Sequence, residues 1–274
     1  MIGDWFRRSP LTLNQVPKLR SESVFILGNG PSLNEHNLEC LKGIPTFASN
    51  AIYLMFDRTG WRPDFYSCVD TVVLPDQKDE ISHWVRKLRR SLFFFPRTIF
   101  PHETPFVSQN VDEIIRPRKN VCFFDAHPLD LNGEQEQVFS LAHNDFLVEP
   151  MTVTITLMQL AVKLGAKRLF LIGCDTDYQV PDGATLLDQD SDRLDKRIVL
   201  DADTDPNHFD PRYFGKGKVW HTPNSDLMIK HYEKVKAICE GNGIEIFNAG
   251  IGGELEVFPR ISYDEAVSAC VNSN

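Results

Sequence analysis

Residues 152–175 read TVTITLMQLAVKLGAKRLFLIGCD. Apolar side chains run almost all the way round the first half. Ile155, Leu157, Met158, Leu160, Ala161 and Leu164 leave little polar face, so a helix over Thr152–Leu164 must be covered by protein on nearly every side. Gly165 stands where a helix needs its left-handed cap. Leu169-Phe170-Leu171-Ile172 then forms the short apolar run of a central strand, buried on both faces. A buried helix feeding a buried strand is half of a parallel βαβ unit.

The same grammar extends outward. Val24–Leu27, Thr46–Ser49, Phe65–Val69, Leu92–Phe95, Val121–Phe124 and Ile244–Phe247 also read as strands. Glu35–Lys42, Asp79–Arg90 and Asp226–Glu240 carry helical periodicity between them. The expected fold is α/β: a Rossmann-like, mostly parallel, doubly wound sheet with an irregular lid segment. The domain spans 23–263, after an extension at 1–22 and before a tail at 264–274. The lid, 177–220, is rich in Asp, Pro and Gly, yet it holds His208, Phe209, Tyr213, Phe214 and Trp220, more aromatics than a disordered insert carries. Sparse periodic apolar positions make it an expected mobile element.

Composition narrows the partners. The 274 residues contain 29 Lys+Arg against 38 Asp+Glu, a formal net charge of −9, which disfavours nucleic acid and broad anionic membrane surfaces. No apolar run reaches the ~20 residues of a membrane helix, and Met1–Arg20 has no secretory apolar core, so a cytoplasmic chain is expected. Peripheral membrane contact and homo-oligomerisation stay open. Cys40, Cys68, Cys122, Cys174, Cys239 and Cys270 form no CxxC pair and read as reduced thiols, most of them buried.

Polar residues gather at expected strand ends. The first strand runs into Gly28-Asn29-Gly30-Pro31-Ser32-Leu33, a glycine turn placed to receive a phosphate. Leu33 breaks the G-x-G-x-x-G fingerprint, and no Gly-Lys-Ser/Thr follows for a Walker A loop. Asn29 and Ser32 add polar groups suited to ribose, phosphate or base. Asn50, Asp70, Asp175 and Asp177 follow other strands and converge on the same edge. Asp175-Thr176-Asp177 has the D-x-D form of a divalent-metal site. Asp201, Asp203 and Asp205 begin like an EF-hand, but Pro206 and Arg212 replace its glycine and glutamate. Thr152 and Thr154 open the apolar helix, where they either cap it or meet an anion. His221 and His208 are the candidate general bases.

Taken together, Gly28–Leu33, Ser49-Asn50, the 152–175 unit, Asn207-His208-Phe209, Tyr213-Phe214-Gly215-Lys216-Gly217, Trp220-His221, Asn248, Gly252-Gly253 and Phe258 resemble the MptE-like family. The resemblance runs from about Ser23 to Tyr263. That family includes archaeal hydroxymethyldihydropterin diphosphokinases and bacterial members associated with surface-polysaccharide loci. The skeleton is also similar to bacterial lipooligosaccharide sialyltransferases that use CMP-sialic acid. The second resemblance implies that Asn29, Ser32 and Asn50 hold the nucleotide, that Thr152 and Thr154 receive the sugar carboxylate, and that His221 is the base. It also implies that a tyrosine, here Tyr178, helps the leaving phosphate. Asp70 stands where the sialyltransferases have Asn, and Pro150 where they have Arg.

These readings lead to a nucleotide-sugar-dependent glycosyltransferase for a surface glycan, with a CMP-activated acidic sugar as donor. Catalysis is expected from His221, Tyr178 and Asp175. Nucleotide contacts are expected from Gly28, Asn29, Gly30, Ser32, Asn50 and Asp70, and substrate contacts from Thr152, Thr154, His208, Lys216 and Lys218. No cofactor is required on that reading. The alternatives are a Mg-ATP diphosphokinase acting on a pterin-like alcohol, with Asp70, Asp175 and Asp177 on Mg²⁺, and a non-catalytic nucleotide-binding protein.

Overall fold

The structure is a computed structural model and describes residues 10–100, 107–128, 137–142, 146–149, 151–187 and 197–272. Its centre is an eight-stranded sheet in which every neighbouring pair is parallel. In chain order its strands are β1 (Ser23–Leu27), β2 (Thr46–Ser49), β3 (Phe65–Ser67), β4 (Leu92–Pro96), β5 (Val121–Pro128), β6 (Phe146–Glu149) and β7 (Arg168–Ile172), with a last strand at Glu245–Asn248. The seven expected runs are all strands of this sheet. β6 is the addition, a short edge strand whose Phe-Leu-Val run is too brief to separate from the approach to the following helix.

Alternation along β1 and β7 explains two apolar layers. Val24, Ile26, Leu169 and Leu171 face one side, under α2 (Val153–Lys163) and α3 (Ser225–Glu240). Phe25, Leu27, Phe170 and Ile172 face the other, beneath α1 (Lys78–Lys87), α4 (Tyr263–Val271) and short 3-10 segments. α2 is buried over nearly its whole length, as its all-round apolar sequence requires. The terminal segments also join the body. Leu13 and Val16 are buried, Leu11 bridges to Cys122, and α4 buries Ala266 and Cys270 after a Ser262/Glu265 capping box.

Helix boundaries follow local chemistry. The expected helix at Glu35–Lys42 is two 3-10 pieces, Pro31–Glu35 and Leu38–Leu41. His36 is extended, and the Asn37 side chain accepts the Glu39 N–H, restarting the turn there. α1 stops at Lys87, short of Arg90. α2 ends as expected: Gly165 takes φ +109°, its N–H donates to Val162 O, and the Ala166 N–H donates to Ala161 O. An added Cβ there meets nothing, so only the backbone is strained. Gly165→Ala is expected to cost about 1 kcal/mol in urea unfolding, with an unchanged m-value.

The described residues of the lid carry regular structure. Thr185–Leu186 (β8), Arg197–Val199 (β9) and Val219–His221 (β10) form a small antiparallel sheet, and Phe209, Tyr213, Phe214 and Trp220 are buried. It is fastened to the body: the Phe209 N–H donates to Asn29 O at 3.0 Å, and Asn34 Nδ2 donates to Phe209 O at 2.9 Å. Arg58 bonds both Asn34 and Asp210. Aromatic packing replaces the periodic apolar pattern as the anchor. The final strand of the large sheet, Glu245–Asn248, is β11.

Candidate active site

The order across the large sheet is β11-β7-β1-β2-β3-β4-β5-β6. Strands after β1 step one way, and β7 returns to its other side. The switch point therefore lies between β1 and β7, where open α/β sheets bind ligands beyond the strand carboxyl ends. Register sharpens this: Leu27 lies beside Ile172, so Gly28 and Gly173 emerge together.

These glycines let two loops touch. The Gly28 N–H donates to Ile172 O and the Gly30 N–H to Gly173 O, each at 2.8 Å. A Cβ on Gly28 would lie 2.2 Å from Gly173 O, and one on Gly30 would lie 2.3 Å from an Asp175 carboxylate oxygen. The N–H groups expected to meet a phosphate are thus bound to the neighbouring loop. Asp175 accepts the Ser32 N–H at 2.9 Å and the Ser32 hydroxyl. Burial raises the Asp175 pKa against the lowering effect of those donors.

Beyond the joined loops lies a cleft of about 520 Å³, part of it open to solvent. Gly28, Asn29, Gly30, Asn50, Thr152, Thr154, Asp175, Asp177, Tyr178 and His208 line it. Asn50 and Thr176, at φ +51° and +61°, are the described non-glycine residues in the left-handed region, and both face this cleft. Such strain persists only where surrounding structure enforces it. Asn29 donates to Ser49, whereas the Oδ1 atoms of Asn29 and Asn50 are buried without partners. A buried acceptor left alone is costly, and a ligand donor there would remove that cost.

The start of α2 forms one wall. The Thr152 hydroxyl caps the Thr154 N–H at 3.3 Å, and both threonine hydroxyls reach the buried Tyr232 phenol. Thr154 also bonds the Cys174 thiol, whose pKa burial pushes up to about 12, so this sulfur is a packing group. The lid forms the facing wall. Asp205, 4% exposed, accepts the Asn207 and Phe214 N–H groups and His208 Nδ1 at 2.8 Å. Asn207 fixes Gln179 through two hydrogen bonds.

His221 and Asp70 stand to one side, at the carboxyl end of β3, and do not line the cleft. His221 Nε2 meets Asp70 Oδ2 at 2.9 Å, and the other Asp70 oxygen accepts the Val72 and Val73 N–H groups. Burial opposes ionisation of Asp70, but the His221 charge and these hydrogen bonds prevail and hold its pKa at about 2. Asp70 is therefore a histidine partner and is not among the residues that line the cleft. Lys216 is exposed, and the Lys218 ammonium donates to the Arg212 and Tyr213 carbonyls. Neither lysine lines the cleft.

Asp70 and Asp175 are committed to protein donors, and no group of three metal-binding side chains occurs among the described residues. Asp205, Asn207, Tyr213 and Tyr232 were not foreseen as site residues. Asp205 was visible only as a failed EF-hand, although its i, i+3 spacing to His208 within an aromatic segment was a usable signal.

Family comparison matches residues 7–181 to the group described as 6-hydroxymethylpterin diphosphokinase MptE-like. The chain belongs to the MptE-like family. This MptE-like chain carries its lid histidines beyond the matched segment. A comparison with curated proteins finds no match. Among solved structures it is similar to the MAf glycosyltransferase of Magnetospirillum magneticum AMB-1, with 18% identity and a TM-score of 0.49 over 97% of this chain and 38% of that one. It thus spans well under half of that protein. It is also similar to the Campylobacter jejuni sialyltransferase CstII in complex with CMP-3FNeuAc, with 14% identity and a TM-score of 0.44 over 92% and 88% of the two chains.

Proposed function

We propose that this chain is a nucleotide-sugar-dependent glycosyltransferase that uses a CMP-activated acidic sugar to extend a surface glycan. The supporting observation is the pairing of His221 with Asp70. A carboxylate against a ring nitrogen orients the imidazole and stabilises the positive charge it gains on taking a proton, as general-base activation of a hydroxyl needs. The acceptor hydroxyl attacks the anomeric carbon and its proton passes to His221, while the bond to the donor phosphate breaks and its electron pair leaves with the phosphate. The nucleotide lies against Asn29 and Asn50, whose orphan carbonyls suit ribose or base donors. The sugar carboxylate lies at the start of α2, where helix N–H groups favour an anion.

The second reading, a diphosphokinase acting on a pterin-like alcohol, is favoured by the family description. It assigns Asp70 and Asp175 to Mg²⁺, and their protein partners weigh against that assignment. A thermal-shift panel of CMP, CDP, UDP and ATP, with and without Mg²⁺, separates the two. CMP at ~100 times its Kd is expected to add about 2.7 kcal/mol without metal. Stabilisation only by ATP with Mg²⁺ would overturn the glycosyltransferase reading.

A further inference from the structure

No lysine or arginine lines the cleft among the described residues, whereas Asp175 and Asp177 do. A nucleotide phosphate entering such a cleft meets like charge unless another group offsets it. His208 is the described lining residue able to supply a positive charge. Its placement is tightly determined. Nδ1 meets the buried Asp205 carboxylate, and the ring stacks on Tyr213 with centroids 3.9 Å apart and planes 9° apart. The edges of Phe214 and Trp220 close around it. Tyr213 is itself held, because its hydroxyl meets the Asn50 amide and the Ala51 N–H. Asp205 thus fixes the ring orientation, and Nε2 has no protein partner among the described residues.

We propose that His208, as an imidazolium with its Nδ1–H on Asp205, is the phosphate-binding residue of this cleft, its Nε2–H donating to the phosphoryl group of the bound nucleotide. This deepens the nucleotide-transferase reading and rests on it. When the bond from the sugar to the phosphate oxygen breaks, its electron pair stays on that oxygen. The His208 hydrogen bond then strengthens with no proton transferred.

The test compares nucleotide with nucleoside. Calorimetric titration of the unaltered protein with CMP, CDP, UDP and ATP identifies the nucleotide that binds, and the matching nucleoside is then titrated. His208→Gln is expected to weaken the nucleotide by about 10- to 100-fold and to leave the nucleoside within about twofold. Asp205→Glu, which keeps a carboxylate but shifts it, is expected to weaken the nucleotide selectively but less. Circular dichroism confirms that each variant is folded. A parallel loss of nucleoside and nucleotide, or no loss of either, overturns the phosphate assignment and makes His208 a packing residue. If His208→Gln does not fold, Asp205→Glu decides by the same ratio. Failure of every nucleotide to bind the unaltered protein rejects the transferase reading, and the inference with it.

Discussion

Replacing His221 with alanine is expected to lower turnover by about 10²- to 10⁴-fold while nucleotide affinity persists. The separation of effects follows from position, since His221 sits at the end of β3, outside the cleft that Asn29 and Asn50 line. Asp70→Asn is expected to reduce turnover as well. An amide does not supply the charge that holds the ring, and with its oxygen kept on the Val72 and Val73 N–H groups its NH₂ faces His221 Nε2, which must then accept and is held in the wrong tautomer. Asp70 also ties stability to pH. Its folded pKa, about 2, lies below the ~3.9 of an unfolded aspartate, so its contribution is complete above pH ~4 and is lost as pH falls through about 2. Acid unfolding of Asp70→Asn is expected to show a weaker loss across that window. The diphosphokinase reading makes Asp175→Asn comparably lethal, and with it Mg²⁺ dependence. A single turnover assay of the three variants, with and without chelator, decides. Near-normal turnover by His221→Ala would remove the base from this residue and shift attention to His208.

Strand identity was legible because burial on both faces writes itself as unbroken apolar runs, as at Leu169–Ile172. Convergence of the polar loops was legible too, since parallel strands place their carboxyl ends on one edge. Two features were not. Lid packing arises from Phe209, Tyr213, Phe214 and Trp220 meeting across non-periodic spacings, so no hydrophobic period announces it. Side-chain pairing was also hidden. Asp70 and His221 are 151 residues apart, and only the antiparallel lid sheet brings β10 back to the end of β3. Read alone, Asp70 looked like a nucleotide or metal ligand. Its partner gives it a different chemistry. Lys216 and Lys218 lie outside the residues that line the cleft, and the Lys216 N–H donates to Asp203.

Gly28→Ala is expected to cost about 3 kcal/mol and to abolish nucleotide binding even where the fold survives. The added carbon would stand 2.2 Å from Gly173 O and 2.9 Å from Cys174 Sγ. A flexible side chain could move aside, but a carbonyl in the β1–β7 junction cannot. It belongs to a loop pinned by the bonds from Gly28 N–H to Ile172 O and from Gly30 N–H to Gly173 O. Relief therefore means parting the two strand ends. That would carry away Asp175, which is held by Ser32 on one side and by the Gly253–Glu254 loop on the other, where the Glu254 N–H donates to Asp175 O at 2.7 Å. It would also disturb Asn29, whose carbonyl anchors the lid through Phe209. One methyl group thus displaces the cleft floor, the lid anchor and the Asn29 side chain together. Urea unfolding measures the stability loss, and calorimetric titration of the folded fraction measures binding. A variant with unchanged midpoint and unchanged affinity would show that the junction yields, and that the contact between β1 and β7 does not build the site.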